Sequence, residues 1–151
     1  MSTSSIEVPT NIRCAFCDYL AGVRPYTVLR KGELSAILVT REQRGRSHVL
    51  VVPTRHRPTI LDLPADEACA VMRDVVDVAR AIEATERPDG LAIWQNNGVP
   101  ADQTIAHVHF HVAGTLPSGG TERDEVDEVS LAETDEIGHR LRLALHEQTD
   151  G

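Results

Sequence analysis

Apolar residues along this chain recur with two different periods. Tyr26 to Arg30 and Leu34 to Val39 are short β-prone runs around Lys31-Gly32-Glu33, the composition of a hairpin. His48 to Val52 reads His-Val-Leu-Val-Val, a strand that Pro53 ends. Pro64 suits the first turn of a helix. From there Ala68, Val71, Met72, Val75, Val78, Ala79 and Ile82 follow a helical spacing to about Thr85. Cys69 lies beside this stripe and reads as a small buried hydrophobe. Pro88-Asp89-Gly90 breaks the chain, Leu91 to Gln95 forms a fourth strand, and Asn96-Asn97-Gly98 turns it. Ile105 to Ala113 is the fifth strand. Residues 114–129 read as a loop rich in glycine and acids. Ser130 to Glu133 has the capping-box pattern, which starts a helix over about 130–146.

Most links between strands are too short for a parallel crossover. The pattern therefore predicts an α+β domain: a five-stranded, largely antiparallel sheet with two helices. Residues 1–12, polar and rich in Ser and Thr, are expected to be a flexible tail on a single domain over 13–148.

Composition narrows the function classes. Hydrophobic residues make up 41% of the 151 residues, enough for a core without disulfides. No leader-like apolar run opens the chain, and none reaches the roughly 20 residues of a membrane span, so a cytoplasmic protein with no membrane partner is expected. A net charge of -8 and a pI near 5.3 argue against nucleic acid as a partner. A small phosphorylated ligand would need local donors, and Arg41, Arg44 and Arg46 form one basic loop. The acids between Glu122 and Glu128 read as a solvated run, and His139 and His146 as surface residues.

The chemistry concentrates in Ala106-His107-Val108-His109-Phe110-His111-Val112. On a strand, side chains alternate faces, so His107, His109 and His111 share one face while Val108, Phe110 and Val112 turn to the core. The histidines would then line a surface or cleft, spaced roughly 7 Å apart. Three imidazoles in a row can ligate a metal, pass protons or attack an electrophile. No glycine-rich lysine loop of the Walker type is present, which excludes an ATPase of that kind. Cys14-Ala15-Phe16-Cys17 has the spacing of a metal knuckle or a redox pair, and two more ligands would be needed for a tetrahedral ion.

Asn96 to Ala106 followed by His-Val-His-Phe-His-Val, together with Ser47 to His56, resembles the histidine triad (HIT) family, with the bacterial Hint-like branch nearest. The resemblance covers about residues 12–114. It implies a HIT-like fold, a homodimer, and cleavage at the α-phosphate of a purine nucleotide conjugate. By resemblance, His109 is the nucleophile that becomes nucleotidylated, His111 serves the phosphate and leaving group, and His107 positions the site. His48, Asn96, Gln103 and Thr104 match phosphate contacts, and Thr40 stands at the ribose position. The resemblance also implies one structural zinc per chain, on Cys14, Cys17, His56 and His107, and no catalytic metal. Three positions depart from the family pattern. Asp102 and Ser47 replace customary glycines, and Thr40 replaces Asp or Asn. A non-catalytic nucleotide-binding module is the alternative. Uridylyl transfer is a second, against which the third histidine, His111, argues.

Overall fold

The structure is a computed structural model and describes residues 4–149, the last three as backbone only. Five strands, β1 (Thr27–Lys31), β2 (Ser35–Val39), β3 (Arg46–Pro53), β4 (Leu91–Trp94) and β5 (Phe110–Gly114), form one antiparallel sheet in the order β1-β2-β3-β5-β4. Three helices accompany it: α1 (Ala15–Leu20), α2 (Ala65–Glu86) and α3 (Leu131–Thr149). The α+β class and the antiparallel sheet agree with the pattern, whereas the count of two helices needs α1 added. Six residues are too few to display a helical period, and the N-cap of α1 is a sulfur: Cys14 Sγ accepts from Cys17 N at 3.5 Å. Among the described residues no helix is long and apolar enough to cross a membrane.

The sheet is covered on both faces. Ile37, Val39, Val49, Val51, Phe110 and Val112 pack against Val71, Val75, Val78 and Ile82 of α2 and Leu141 and Leu145 of α3. On the opposite face Ala36, Leu38, Leu50 and Val52 pack against Phe16 of α1. This double burial explains why β2 and β3 read as continuous apolar runs, since both of their faces are dry. Register then decides which face carries the polar residues. His111 pairs with Leu50 on one side and Trp94 on the other, while Val112 pairs with Val49 and Ile93. His48, His111 and Trp94 therefore share the α1 face.

Two expectations are corrected. The ladder of β5 begins at Phe110, not Ile105, because Val108 N bonds to Arg57 O at 2.7 Å and His107 N turns back to Ile105 O at 2.8 Å. Only His111 of the triad belongs to the ladder. Cys69 is exposed, as are Met72 and Val76, because the buried stripe of α2 runs through Glu67, Val71, Val75, Val78 and Ile82. At the chain start, Glu7 O accepts from Val99 N at 2.7 Å, so residues near Glu7 lie against the turn after Gly98.

Glu86 closes α2 onto the start of β3. Its carboxylate accepts from Ser47 Oγ at 2.6 Å, Arg46 at 3.1 Å and Arg140 at 3.4 Å. Burial works to raise its pKa, but the Ser47 hydroxyl and the two arginines outweigh that and hold it below 4.5. A depressed carboxylate stabilises the fold above its unfolded pKa, and the effect is lost as pH falls through the folded value. Glu86→Gln is expected to lower stability by about 1 kcal/mol at neutral pH, because the arginines are partly solvated. In urea denaturation the gap between variant and wild type should close as the pH is taken below 4.5.

Candidate active site and metal centre

Two clefts meet at His109 and His111 on the α1 face. The first, of about 460 Å³, has an aromatic and apolar wall of Phe16, Tyr19, Tyr26, Leu50 and Ile105, with Thr40, His48 and Thr104 also on its lining. The second, of about 870 Å³, opens toward Trp94, Asn96, Asp102, Arg44 and Arg123. Thr104 borders both. Of the predicted phosphate contacts, Gln103 is placed differently. It is 4% exposed, its Oε1 accepts from Gly98 N at 2.6 Å, and its Nε2 donates to Pro58 O and Ile105 O. Its side chain organises the turn and lines neither cleft.

The imidazoles are fixed by a hydrogen-bond chain that assigns each proton. Arg44 N donates to His48 Nδ1 at 3.1 Å, so the His48 proton sits on Nε2. That Nε2–H donates to His111 Nδ1 at 3.0 Å, which leaves His111 with its proton on Nε2. His109 donates Nδ1–H to the His107 carbonyl at 2.7 Å, so its Nε2 keeps a lone pair. His107 donates Nε2–H to the Pro53 carbonyl at 2.8 Å, which frees its Nδ1.

Charge follows from burial. Desolvation lowers the His109 pKa below 6.5, partly offset by the bond to the His107 carbonyl. Burial, followed by the neighbouring Arg44 and His109 charges, takes His48 to about 3. Burial, then His109, His48 and Arg44, takes His111 to about 2. All three are therefore neutral at physiological pH. A neutral imidazole with an unshared Nε2 pair is the nucleophilic form of histidine.

His107 is fully buried and lines neither cleft, contrary to its expected place on an open face. It joins Cys14, Cys17 and His56, the group that the resemblance implies, and one nitrogen or sulfur atom from each of the four lies within 4.8 Å of the others. Cys14 Sγ is 3.3 Å from His107 Nδ1, while Cys17 Sγ is 3.6 Å from His56 Nδ1 and 3.7 Å from His107 Nδ1. A tetrahedral zinc, with Zn–S of about 2.3 Å and Zn–N of about 2.0 Å, spaces its ligands by about 3.3–3.8 Å. These three separations match that spacing, and His107 already presents an unprotonated nitrogen to the cysteines.

The aromatic wall escaped the sequence reading. Tyr19 and Tyr26 stack with centroids 3.8 Å apart, and Phe16 sits 5.0 Å from His109. The available signal was Phe16 between the two cysteines, since a short helix needs a bulky apolar side chain to pack it onto the sheet.

The proton assignment is testable by long-range ¹H–¹⁵N correlation. At neutral pH, His109 should appear as the Nδ1–H tautomer and His48 and His111 as Nε2–H. His48→Ala should release His111 into mixed tautomers. An Nδ1–H signal for His111 in wild type would contradict the chain.

Comparison with known proteins agrees with this geometry. The HIT domain pattern matches residues 21–117. An uncharacterised HIT-like protein of Methanocaldococcus jannaschii is 31% identical over 124 residues, 82% of this chain and 95% of that one. An adenosine 5'-monophosphoramidase of Schizosaccharomyces pombe is 31% identical over 99 residues, 66% of this chain and 71% of that one. Among solved structures, a Zn-bound histidine triad family protein from Mycobacterium smegmatis superposes with a TM-score of 0.78 at 25% identity, covering 91% of this chain and 96% of that one. With the match spanning the sheet, both clefts' histidines and the turn before them, this chain belongs to the HIT domain family.

Proposed function

We propose that the protein is a nucleotide hydrolase, or nucleotidyl transferase, that cleaves purine nucleotide conjugates at the α-phosphorus through a covalent nucleotidyl-histidine on His109. The observation that carries this reading is the held, neutral His109, with Nδ1–H anchored on a carbonyl and an Nε2 lone pair left for an electrophile. His109 Nε2 forms a bond to phosphorus while the bond to the leaving group breaks, and the leaving atom keeps that electron pair and takes up a proton. Water then displaces His109 and the nucleoside monophosphate departs. His111 Nε2–H, with Asn96 and Thr104 beside the junction of the clefts, serves the charged oxygens. The aromatic wall of the first cleft suits a nucleobase, and the second cleft suits the leaving group. The phosphoramidase relative supports an amine as one leaving group, and membership of the bacterial Hint-like branch is part of the same proposal. The steps use protein groups alone and call for no catalytic metal.

Cys14, Cys17, His56 and His107 would hold one structural zinc per chain, with no open position on the ion. Bound there, the ion would supply a clamp between α1 and the segment that leads to His109. We also propose a cytoplasmic homodimer. Leu91 and Ile93 on the edge strand β4, and Met72 and Val76 on α2, are large apolar side chains left exposed.

Wild type should hydrolyse a purine nucleoside phosphoramidate. His109→Ala should lose at least about 10³-fold in kcat/KM while still binding the nucleoside monophosphate. Equal turnover by both would remove His109 from the nucleophile's role. Binding without turnover in wild type would favour the non-catalytic module.

Protein purified without chelators should contain about one zinc per chain by elemental analysis. Cys17→Ser and His56→Ala should lose the metal and lower Tm by about 5 °C or more.

A further inference from the structure

His111 is held in its own plane by His48, whose Nε2–H reaches His111 Nδ1. That hydrogen bond does not by itself stop the ring from tilting about the N···N axis. The second restraint is a face contact. Trp94, at the end of β4, lies parallel to the His111 ring, with centroids 4.6 Å apart and an interplanar angle of 4°. The same indole sits 5.1 Å from the His48 ring. Cross-strand register brings the two residues opposite each other, since Trp94 pairs with His111 where β4 meets β5. Trp94 is the chain's one tryptophan and is half-buried on the wall of the second cleft.

We propose that Trp94 is a positioning residue for His111: the stacked indole sets the plane of the imidazole, and with it the aim of Nε2–H at the leaving-group side of the reacting phosphate. The inference rests on the function proposed above. A neutral donor stabilises developing charge only when the hydrogen bond is well aligned, and misaiming by a fraction of an ångström weakens it steeply. In the ground state the same donor contributes little to holding the nucleotide, whose base and sugar lie in the other cleft. The consequence falls on kcat and spares KM. The indole adds no polar atom to the phosphate in this role; it acts through His111.

The experiment is a double-mutant cycle on turnover of a purine nucleoside phosphoramidate. Trp94→Leu should lower kcat about tenfold with KM held within about twofold, and Trp94→Phe, which keeps a flat ring, should recover most of the loss. In a His111→Ala background Trp94→Leu should cost no more than about twofold, because the group it positions is gone. Trp94→Met serves the same purpose should the leucine variant fail to fold. Wild-type kcat in Trp94→Leu, or an equal loss in the presence and absence of His111, would overturn the inference. A second arm needs no substrate. The indole ring current should shift the His111 ring protons upfield in wild type relative to Trp94→Leu, with those of His109 unmoved, and the absence of that shift would also overturn it. Wild type that cleaves no phosphoramidate counts against the proposed function alone, and the ring-current arm still decides the role of Trp94.

Discussion

Three residues, His107 to His109, are held at three points by the backbone around them. His107 Nε2–H is bonded to Pro53 O, Val108 N to Arg57 O, and His109 Nδ1–H to His107 O. One of these acceptors is the last residue of β3 and another lies on the short stretch that leaves it. The segment therefore cannot join the sheet ladder, and its side chains are placed by the loop instead. One histidine faces the cysteines and the next faces the clefts. A regular strand would have kept both on one open surface. The break in regular structure thus turns two imidazoles only two residues apart to different surroundings, His107 to the cysteines and His109 to the clefts.

That loop is itself pinned. Arg57 Nε bonds to Glu67 Oε2 at 2.9 Å, and Arg55 lies 3.8 Å from Oε1 of the same carboxylate. Glu67 is fully buried at the start of α2. Its Oε1 has no hydrogen-bond partner among the described residues. A buried carboxylate between two arginines is costly to desolvate, and breaking such a pair costs more than forming it gains. The pairing fixes His56, which lies between the two arginines, relative to the helix that supports the sheet. The Cys/His group, His109 and the core thus share one frame.

Legibility in the sequence followed the periods. Strands β1 to β4, helix α2 and the start of α3 each span enough residues for a pattern to emerge, and Pro53, Pro64 and Pro88 mark their ends. Helix α1 could not be read, because six residues make fewer than two turns. The extent of β5 was misread for a different reason. Alternation of side chains survives in extended chain that makes no ladder bonds, so it cannot tell a strand from a segment bonded elsewhere. On α2, Met72 and Cys69 satisfy a helical spacing yet lie outside, because an apolar residue is free to be exposed while the buried stripe includes Glu67. Most residues that the structure brings to the clefts and to the Cys/His group were named from short runs of sequence, Gln103 excepted. The different surroundings of the histidines were not legible in the alternation of side chains and entered only through the resemblance, since they depend on which carbonyl each imidazole meets.

The departures from the family pattern take on a different meaning once the backbone is seen. Ser47 has φ of 51° and Asp102 has φ of 64°, both in the left-handed region that glycine adopts without steric cost. The customary glycines at these positions answer to conformation. Asp102 ends the short turn after Gly98, is exposed, and donates its N–H to Val99 O, as a residue in a left-handed cap does. Aspartate tolerates that conformation better than most side chains. Ser47 offsets its strain with the bond from its hydroxyl to Glu86. Thr40 is the substantive change. The residue is 6% exposed and its hydroxyl already accepts from Glu42 N at 3.1 Å, so it brings no carboxylate and little spare acceptor capacity to the first cleft. Two of the three replacements therefore preserve the backbone of the site, and the third alters the chemistry of the cleft wall where the nucleoside is proposed to bind.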